Sequence, residues 1–488
     1  MLFNSVEFLL FFIGIGFVYF AIPARFRWML LLFGSYVFYM SWEPSYAALL
    51  GLITVVNYYL AIRLGRSITV RGKKTILALT VTINAGLLFS LKYLGFFAES
   101  LRTVFHHHGV AAAIPVFSIA LPVGISFYTF KIMSYTIDVY RGKLEPERNI
   151  GLFALYVAFF PQLIAGPIDR STRLLPQFRE EQMFDYRRVS DGLKLILWGF
   201  FQKMVIAGTL TIMVDLVYSK PGQYDAPTLA LATLFFAFQI YCDFSGYSDI
   251  AIGIAQVFGY GSINNFERPY FSRSIPEFWR RWHISLSTWF RDYLYIPLGG
   301  SRISIPRWHV NIMIVFLVSG LWHGANWTFV VWGAIHGCYY ILSVLTKSAR
   351  EKTVATLGLV RLPRLHQGIQ MAITFCLVTF TWIFFRANTI SDAFYIVSKL
   401  FTGWGSASET AGTNTLASFV SSHFFEFCVA IVSITVMGMV HTLQVRGNVR
   451  NMLRSKPIWL RWAAYYAIVA AILLLSNFGS KQFIYFQF

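Results

Sequence analysis

Residues 315–336 read VFLVSGLWHGANWTFVVWGAIH. The stretch is apolar enough to lie in a membrane, yet it carries Ser319, His323 and Asn326. Their spacing puts the three side chains on one face of a helix. Gly320 and Gly324 flank the histidine at a small-xxx-small interval, which lets another backbone or a slender ligand come close. An ionisable side chain at membrane depth is costly, so His323 is the first candidate for function.

The surrounding chain has the character this stretch requires. Of 488 residues, 56% are hydrophobic and 13% charged, with a mean hydropathy of +0.57. These values exclude an ordinary soluble protein and indicate an all-α polytopic membrane protein. The 18% aromatic content suits interfacial belts. Net charge is +19, from 41 Lys and Arg against 22 Asp and Glu. The basic residues sit in short loops between apolar runs, as the positive-inside rule expects, so they do not point to nucleic acid. Some remain available for an anionic cytosolic donor or for membrane lipid.

Candidate spans cover 6–22, 28–40, 45–62, 76–97, 114–140, 189–217, 228–258, 369–385, 419–440 and 458–476. The run 6–22 has no positive residue before it and Pro23 after it, so it reads as a retained span rather than a cleaved signal. The loop with Arg63, Arg66, Arg71, Lys73 and Lys74 is the most basic and is expected inside. Counting back over three spans leaves the N-terminus outside. His106, His107 and His108 then fall in an exterior polar loop rather than a metal site. Residues 151–165, broken by Pro161 and Gly166, are expected to be re-entrant.

The segment 310–345 is too long for one span and is flanked by basic stretches on both sides. It is expected to enter from the cytoplasm, bend near the glycines around His323 and return, leaving His323 at mid-depth. Irregular backbone there is tolerated only where it lines a cavity. About 11 to 12 spans result, in one membrane domain over 1–488. That domain has N-terminal spans (1–113), a core (114–346) and C-terminal spans (347–488). Cys242, Cys338, Cys376 and Cys428 lie in apolar runs without CxxC spacing and read as buried thiols, not a disulfide or metal set.

A second constellation follows Ser274, whose spacing to Glu277 is that of a capping box. The helix is expected over 275–295. Phe278, Trp282, Leu286, Trp289 and Tyr293 form one apolar stripe. Trp279, His283, Phe290 and Leu294 form another. Arg280, Arg281 and Arg291 fall outside both. Two apolar faces wedge the helix between lipid and protein or between other helices, with His283 facing packing or a cavity. His336 is off the face of His323 and reads as structural. Asp138, Asp243 and Asp249 are either hydrogen-bonded buried carboxylates or a proton relay. No hydrolase, ATPase or dehydrogenase motif occurs in a fitting context.

The blocks EFWRRWHISLSTWFRDYLYIPLGG (277–300) and SGLWHGANWTFVVWGAIHG (319–337) closely resemble the signature of the membrane-bound O-acyltransferase family. The likeness extends to LPVGISFYTFKIMSYTIDVYRG (121–142), LIAGPIDR (163–170), YCDFSGYSDIAIG (241–253) and FIYFQF (483–488), and is weak over 345–476. The set is similar to the bacterial branch that O-acetylates alginate, peptidoglycan or cellulose.

The resemblance implies membrane helices, with re-entrant and interfacial elements, ringed around a central funnel that reaches the catalytic histidine. That residue corresponds to His323, and the second histidine of the pattern to His283. It also implies acetyl groups drawn from a cytosolic thioester such as acetyl-CoA, with no permanently bound cofactor. Delivery is outward, to a periplasmic acetyltransferase or esterase-like partner and a polysaccharide acceptor, from the inner membrane.

Such a transfer needs a base for the alcohol proton, which a neutral imidazole in an apolar site supplies. Oxyanion donors are expected from Asn326, Ser319 or backbone N–H groups at Gly320 and Gly324. Arg273, Arg280, Arg281 and Arg291 are candidates for the donor's phosphates. Direct transfer and an acyl-histidine intermediate would use the same residue. The alternatives are D-alanyl transfer to teichoic acid, a proton-coupled transporter or flippase using the histidines and aspartates as a relay, and a non-catalytic scaffold.

Overall fold

A computed structural model describes residues 1–108, 121–404, 414–447 and 449–476. The FIYFQF motif at 483–488 and the first part of the expected span 114–140 lie outside the described residues. The chain forms two compact units, one of residues 1–196 with 250–263, the other of 197–249 with 264–488. Their boundaries fall inside two long helices.

The first unit begins with α1 (Val6–Ala21), α2 (Ala24–Met40), α3 (Pro44–Arg66) and α4 (Val70–Leu88). α4 passes through a π turn into α5 (Leu94–His107), so His106 and His107 end a helix where a loop was expected. Then come α6 (Ile125–Tyr140), the short α7 (Ile150–Ala158) and α8 (Phe160–Leu163), α9 (Ser171–Arg179) and the start of α10 (Tyr186–Phe200). Buried amides tie neighbouring helices together. Asn84 Nδ2 on α4 donates to Asn57 Oδ1 on α3 at 2.7 Å, a bond that apolar surroundings do not weaken.

The pair α7–α8 is too short to span and is buried, in keeping with the re-entrant reading. The loop after it holds a carboxylate that the sequence did not single out. Asp169 is fully buried and accepts from Gln162 Nε2 at 2.6 Å, from the Ile263 N–H at 3.3 Å and from the Ser262 hydroxyl. Burial raises its carboxyl above the usual range.

The second unit continues from α10 through a π segment, Phe201–Ala207, into α11 (Gly208–Ser219), and back along α12 (Ala226–Phe258). It then holds α13 (Ile275–Arg281), α14 (Ile284–Phe290), α15 (Ile305–His323), α16 (Trp327–Leu345), α17 (Lys347–Thr356) and α18 (Pro363–Arg386). α19 (Ile390–Thr402), α20 (Leu416–Ser422), α21 (Phe424–Arg446), α22 (Val449–Arg454) and α23 (Ile458–Leu475) complete it.

α12 is the centre of this unit: 78% of its most apolar window is buried, against none for α23, which presents itself outward. A Cβ on Gly246 of α12 would lie 2.7 Å from the Gly199 carbonyl oxygen, so only glycine admits that helix crossing. The π segment turns two polar side chains onto α12. Lys203 pairs with Asp243 at 2.5 Å, and Gln202 donates to Asp249 at 2.8 Å while accepting from Ser245 Oγ at 2.6 Å. The two aspartates are therefore hydrogen-bonded by side chains of the adjacent π segment. Asp138 pairs with Lys143 at 3.2 Å.

Among the described residues nine helices are long and apolar enough to cross a membrane, and α1 is a shorter apolar helix. This is fewer than the 11 to 12 spans expected. α1, α2 and α6, at 16 or 17 residues, are shorter than these nine. Nine such helices make this a multi-pass membrane protein. The cysteines correct another expectation. Cys242 is buried beside Met437, but Cys338 and Cys376 are exposed on α16 and α18, and Cys428 is half-buried. An apolar run places a thiol in a membrane helix without deciding which way it faces.

Candidate active site

The segment around His323 is a hairpin of two full helices. α15 ends at His323, residues 324–326 form the turn, and α16 begins at Trp327. Each arm has 19 residues, about 28 Å at 1.5 Å per residue. Either falls within the range of about 17–25 residues for a transmembrane helix. The bend expected near the glycines is present, but the two glycines do different things.

Gly324 lies at the turn, where a Cβ would meet the Phe329 ring at 2.1 Å. Gly320 is inside α15, one turn earlier. A Cβ there would lie 2.3 Å from the Phe329 carbonyl oxygen and 3.4 Å from Gly333 Cα. The facing pair Gly320 and Gly333 lets the two arms pack backbone to backbone. Because the helix stops at His323, Asn326 does not share its helical face, contrary to the reading from spacing. Instead Asn326 caps α16, its Oδ1 accepting from the Thr328 N–H at 3.0 Å. Its Nδ2 donates to the Asn388 carbonyl at 3.3 Å. Ser319 remains in α15, buried one turn before His323.

His323 is 4% exposed and boxed by aromatic rings. Ring centroids lie 5.0 Å away for Trp322, 5.1 Å for Trp332 and 5.4 Å for Phe385, all near edge-to-face. Such packing removes water from the imidazole on several sides. His336 sits beyond Trp332 with both nitrogens engaged. Its Nδ1 accepts from Trp279 Nε1–H at 3.3 Å, and Nε2 is 2.9 Å from Thr381 Oγ1. This agrees with a structural role.

The helix expected over 275–295 is interrupted. α13 starts as read, with Ser274 Oγ accepting from the Glu277 N–H at 3.3 Å and Glu277 Oε2 accepting from the Arg273 N–H at 2.8 Å. It ends at Arg281, and His283 adopts left-handed backbone, φ 43° and ψ 55°, before α14 resumes. That conformation is uncommon for a residue other than glycine and needs surrounding structure to hold it.

Asn265, which the sequence reading passed over, supplies the hold. Its Oδ1 lies 3.1 Å from His283 Nδ1 and also accepts from Ser285 N–H at 3.2 Å and Ser285 Oγ at 2.9 Å. Its backbone oxygen accepts from the Ile284 N–H at 2.9 Å, and its Nδ2 donates to Ser248 Oγ at 3.2 Å. With Nδ1–H donating to an amide oxygen, Nε2 is the basic nitrogen. His283 is 1% exposed, and desolvation pushes its pKa down to about 3, so the ring is neutral across the physiological range. No signal in the sequence marks Asn265 apart from any other loop amide.

The two histidines share a neighbour. His283 is 6.0 Å from the Trp322 indole, and Trp322 adjoins His323. Trp279 of α13 meets His336, halfway along α16, and Trp282, which follows α13, packs on Trp382 of α18 at 5.0 Å. These contacts pack one side of the segment against α16 and α18.

The four arginines divide. Arg281 pairs with Glu277 at 2.6 Å and Arg291 with Asp292 at 2.8 Å. Arg273 and Arg280 are exposed and have no side-chain ion pair among the described residues. Arg280 lies near enough to Tyr340 of α16 to act on it electrostatically.

Residues 148–387, which include both histidine segments, match the model of the membrane-bound O-acyltransferase family. The chain is 40% identical over 407 residues to a probable alginate O-acetylase of Azotobacter vinelandii, covering 82% of this chain and 78% of that one. It is 32% identical over 432 residues to a peptidoglycan O-acetyltransferase of Helicobacter pylori, covering 82% and 80%. A teichoic acid D-alanyltransferase of Streptococcus thermophilus is 30% identical over 282 residues, 54% of this chain and 68% of that one. With buried imidazoles at the ends of two interrupted helices in a multi-pass membrane protein, and relatives matched over most of its length, the chain belongs to the membrane-bound O-acyltransferase family, in its bacterial O-acetylation branch.

Proposed function

We propose that this O-acyltransferase moves acetyl groups from a cytosolic thioester, acetyl-CoA, toward an extracytoplasmic polysaccharide of the alginate, peptidoglycan or cellulose type. His323 is the general base. The observation that carries the reading is the position of His323: the last residue of an apolar helix, at the turn of a hairpin, enclosed by three aromatic rings.

In this mechanism His323 accepts the proton of the acceptor hydroxyl as its oxygen attacks the thioester carbonyl. The C–O bond forms, the C–S bond breaks, and the imidazolium returns its proton to the departing thiolate. The enclosing rings fix the orientation of the imidazole that takes this proton. Donors for the oxyanion come from the turn at Gly324 and Asn326, with Ser319 one turn away. The 3.3 Å bond from Asn326 Nδ2 to Asn388 is long enough for a developing oxyanion to displace.

Arg273 and Arg280 hold the donor's phosphates, whereas Arg281 and Arg291 already have carboxylate partners. An exposed arginine on a helix packed at the middle of a spanning hairpin needs water or an anion beside it. That supports an aqueous recess as the donor's entry. His283, fixed by Asn265, orients the site or handles a proton from the far side of Trp322.

The protein resides in the bacterial inner membrane with its N-terminus in the periplasm, by the distribution of basic loops. A periplasmic acetyltransferase or esterase-like partner completes transfer to the polymer. The relatives named for alginate and peptidoglycan O-acetylation support acetyl as the group. A second reading, D-alanyl transfer, is favoured by a relative that matches only 54% of the chain.

The deciding experiment is His323→Ala in cells, with surface polymers analysed for O-acetyl esters and membrane fractions checked for folded protein. Folded protein without ester supports the mechanism. Normal acetylation would end it, and D-alanyl esters in the wild type would select the second reading.

A further inference from the structure

The first unit contains a basic cavity of about 770 Å³ that the acyl-transfer site does not use. That volume falls in the range of ligand-sized cavities, about 300–1,000 Å³. It lies between the last turn of α3 and the segment 145–148, and is lined by Tyr58, Tyr59, Arg63, Arg66, Glu145 and Arg148.

Its wall is held in place. A Cβ on Gly65 would lie 2.4 Å from Pro146 Cγ, so the segment seats directly on the α3 backbone. Tyr58 Oη donates to the Arg148 carbonyl at 2.5 Å, and the Glu147 N–H donates to Tyr135 Oη at 2.8 Å. Glu147 itself is buried, paired with Arg179, and accepts from the Asn149 N–H at 2.9 Å. Three arginines face one carboxylate, Glu145, across this fixed groove. Arg63, Arg66 and Arg148 are exposed and form no ion pair among the described residues.

The cavity continues a stripe along α3. Leu52, Val55 and Tyr59 are 62%, 41% and 58% exposed, and Arg63 and Arg66 follow at the same helical spacing. The outward face is thus apolar along the span and becomes cationic at its end, the order of an acyl chain and its phosphate. Tyr58 and Tyr59 sit at the junction, where aromatic side chains favour the headgroup level. A water-soluble phosphate compound would make no use of the apolar stripe.

We propose that this groove binds the headgroup of an anionic phospholipid, with the acyl chains lying along the exposed face of α3. The arginines supply charge-assisted hydrogen bonds to the phosphate. The basic loop content places the site in the leaflet that the positive-inside rule makes cytoplasmic.

The test uses the full chain in phosphatidylcholine nanodiscs with and without phosphatidylglycerol, reading the thermal midpoint and the lipids retained in native mass spectrometry. Phosphatidylglycerol is expected to raise the midpoint and to be retained. Arg63→Gln, Arg66→Gln and Arg148→Gln together should remove most of that rise. Arg71→Gln with Lys74→Gln, exposed outside the cavity, should not. If the triple variant does not fold, Arg66→Gln alone should reduce retained phosphatidylglycerol.

An unchanged rise in the triple variant, or unchanged retention in Arg66→Gln, overturns the proposal. So does an equal loss in the Arg71→Gln/Lys74→Gln variant, which would mean general surface charge. The same stabilisation by inorganic phosphate in phosphatidylcholine alone would assign a free-phosphate site instead.

Discussion

Two helical runs of this protein break at a histidine, and they break for different reasons. α15 ends at His323 in a turn that glycine makes possible: Gly324 avoids the Phe329 ring, and Gly320 lets the second arm close against the first. Between α13 and α14 no glycine is present. His283 is bent into left-handed backbone, and Asn265, from a preceding loop, holds the bend through its side chain and its carbonyl. One break is written locally as space, whereas the other is imposed by tertiary hydrogen bonds on a sequence that otherwise suits a continuous helix. The difference predicts where each site is fragile.

The largest effects are expected at the imidazoles themselves. His323→Ala should lower acyl transfer by about 10²–10⁴-fold, the usual contribution of a general base, while purified protein keeps its thermal midpoint. If His283 only orients the site, His283→Asn should retain measurable transfer, because asparagine tolerates left-handed backbone better than most residues.

Gly320→Ala tests the local break. Its Cβ would meet backbone rather than a movable side chain, so a loss of about 1–3 kcal/mol is expected from overpacking, read by unfolding in detergent. A neutral result would mean that the arms separate without cost.

Asn265→Ala tests the tertiary break. It deletes an acceptor shared by His283 and Ser285 and should cost about 1–3 kcal/mol. Its transfer activity should also fall, though residue 265 touches no reacting atom. Activity equal to wild type would sever His283 orientation from function.

The pH dependence follows from the same bond network. The folded-state pKa of His283 is held at about 3, below its ordinary 6.5. Between these values the unfolded chain binds the proton and the folded chain does not. The contribution to stability is therefore full above 6.5 and falls as pH drops toward 3, by up to about 1.4 kcal/mol per pH unit. His283→Asn should flatten the difference in midpoint between pH 6.5 and pH 5, measured against the wild type.

The smallest effect is expected at Arg281. Its half-exposed pair with Glu277 should change stability by no more than about 1 kcal/mol in Arg281→Ala. Arg280→Ala, by contrast, should raise KM for the donor thioester with little change in midpoint.

Much of the architecture is legible without coordinates, because hydrocarbon demands internally bonded helices and apolar runs therefore declare themselves. The hairpin at His323, the cap at Ser274 and the short buried pair α7–α8 belong to that class. Local spacing also had its limits. It put Asn326 on the face of His323, although the helix ends before reaching it, and it sent Cys338 and Cys376 inward although they face out.

What local chemistry dictates, then, is which segments are helical, where glycine allows a turn and which histidines lie in apolar surroundings. Which partner each polar side chain meets depended on elements far apart in the chain. Asn265 reaches His283, Lys203 reaches Asp243 through a π segment, and Trp279 reaches His336. A buried polar group must find a partner wherever packing supplies one, and packing is settled only when the helices have met.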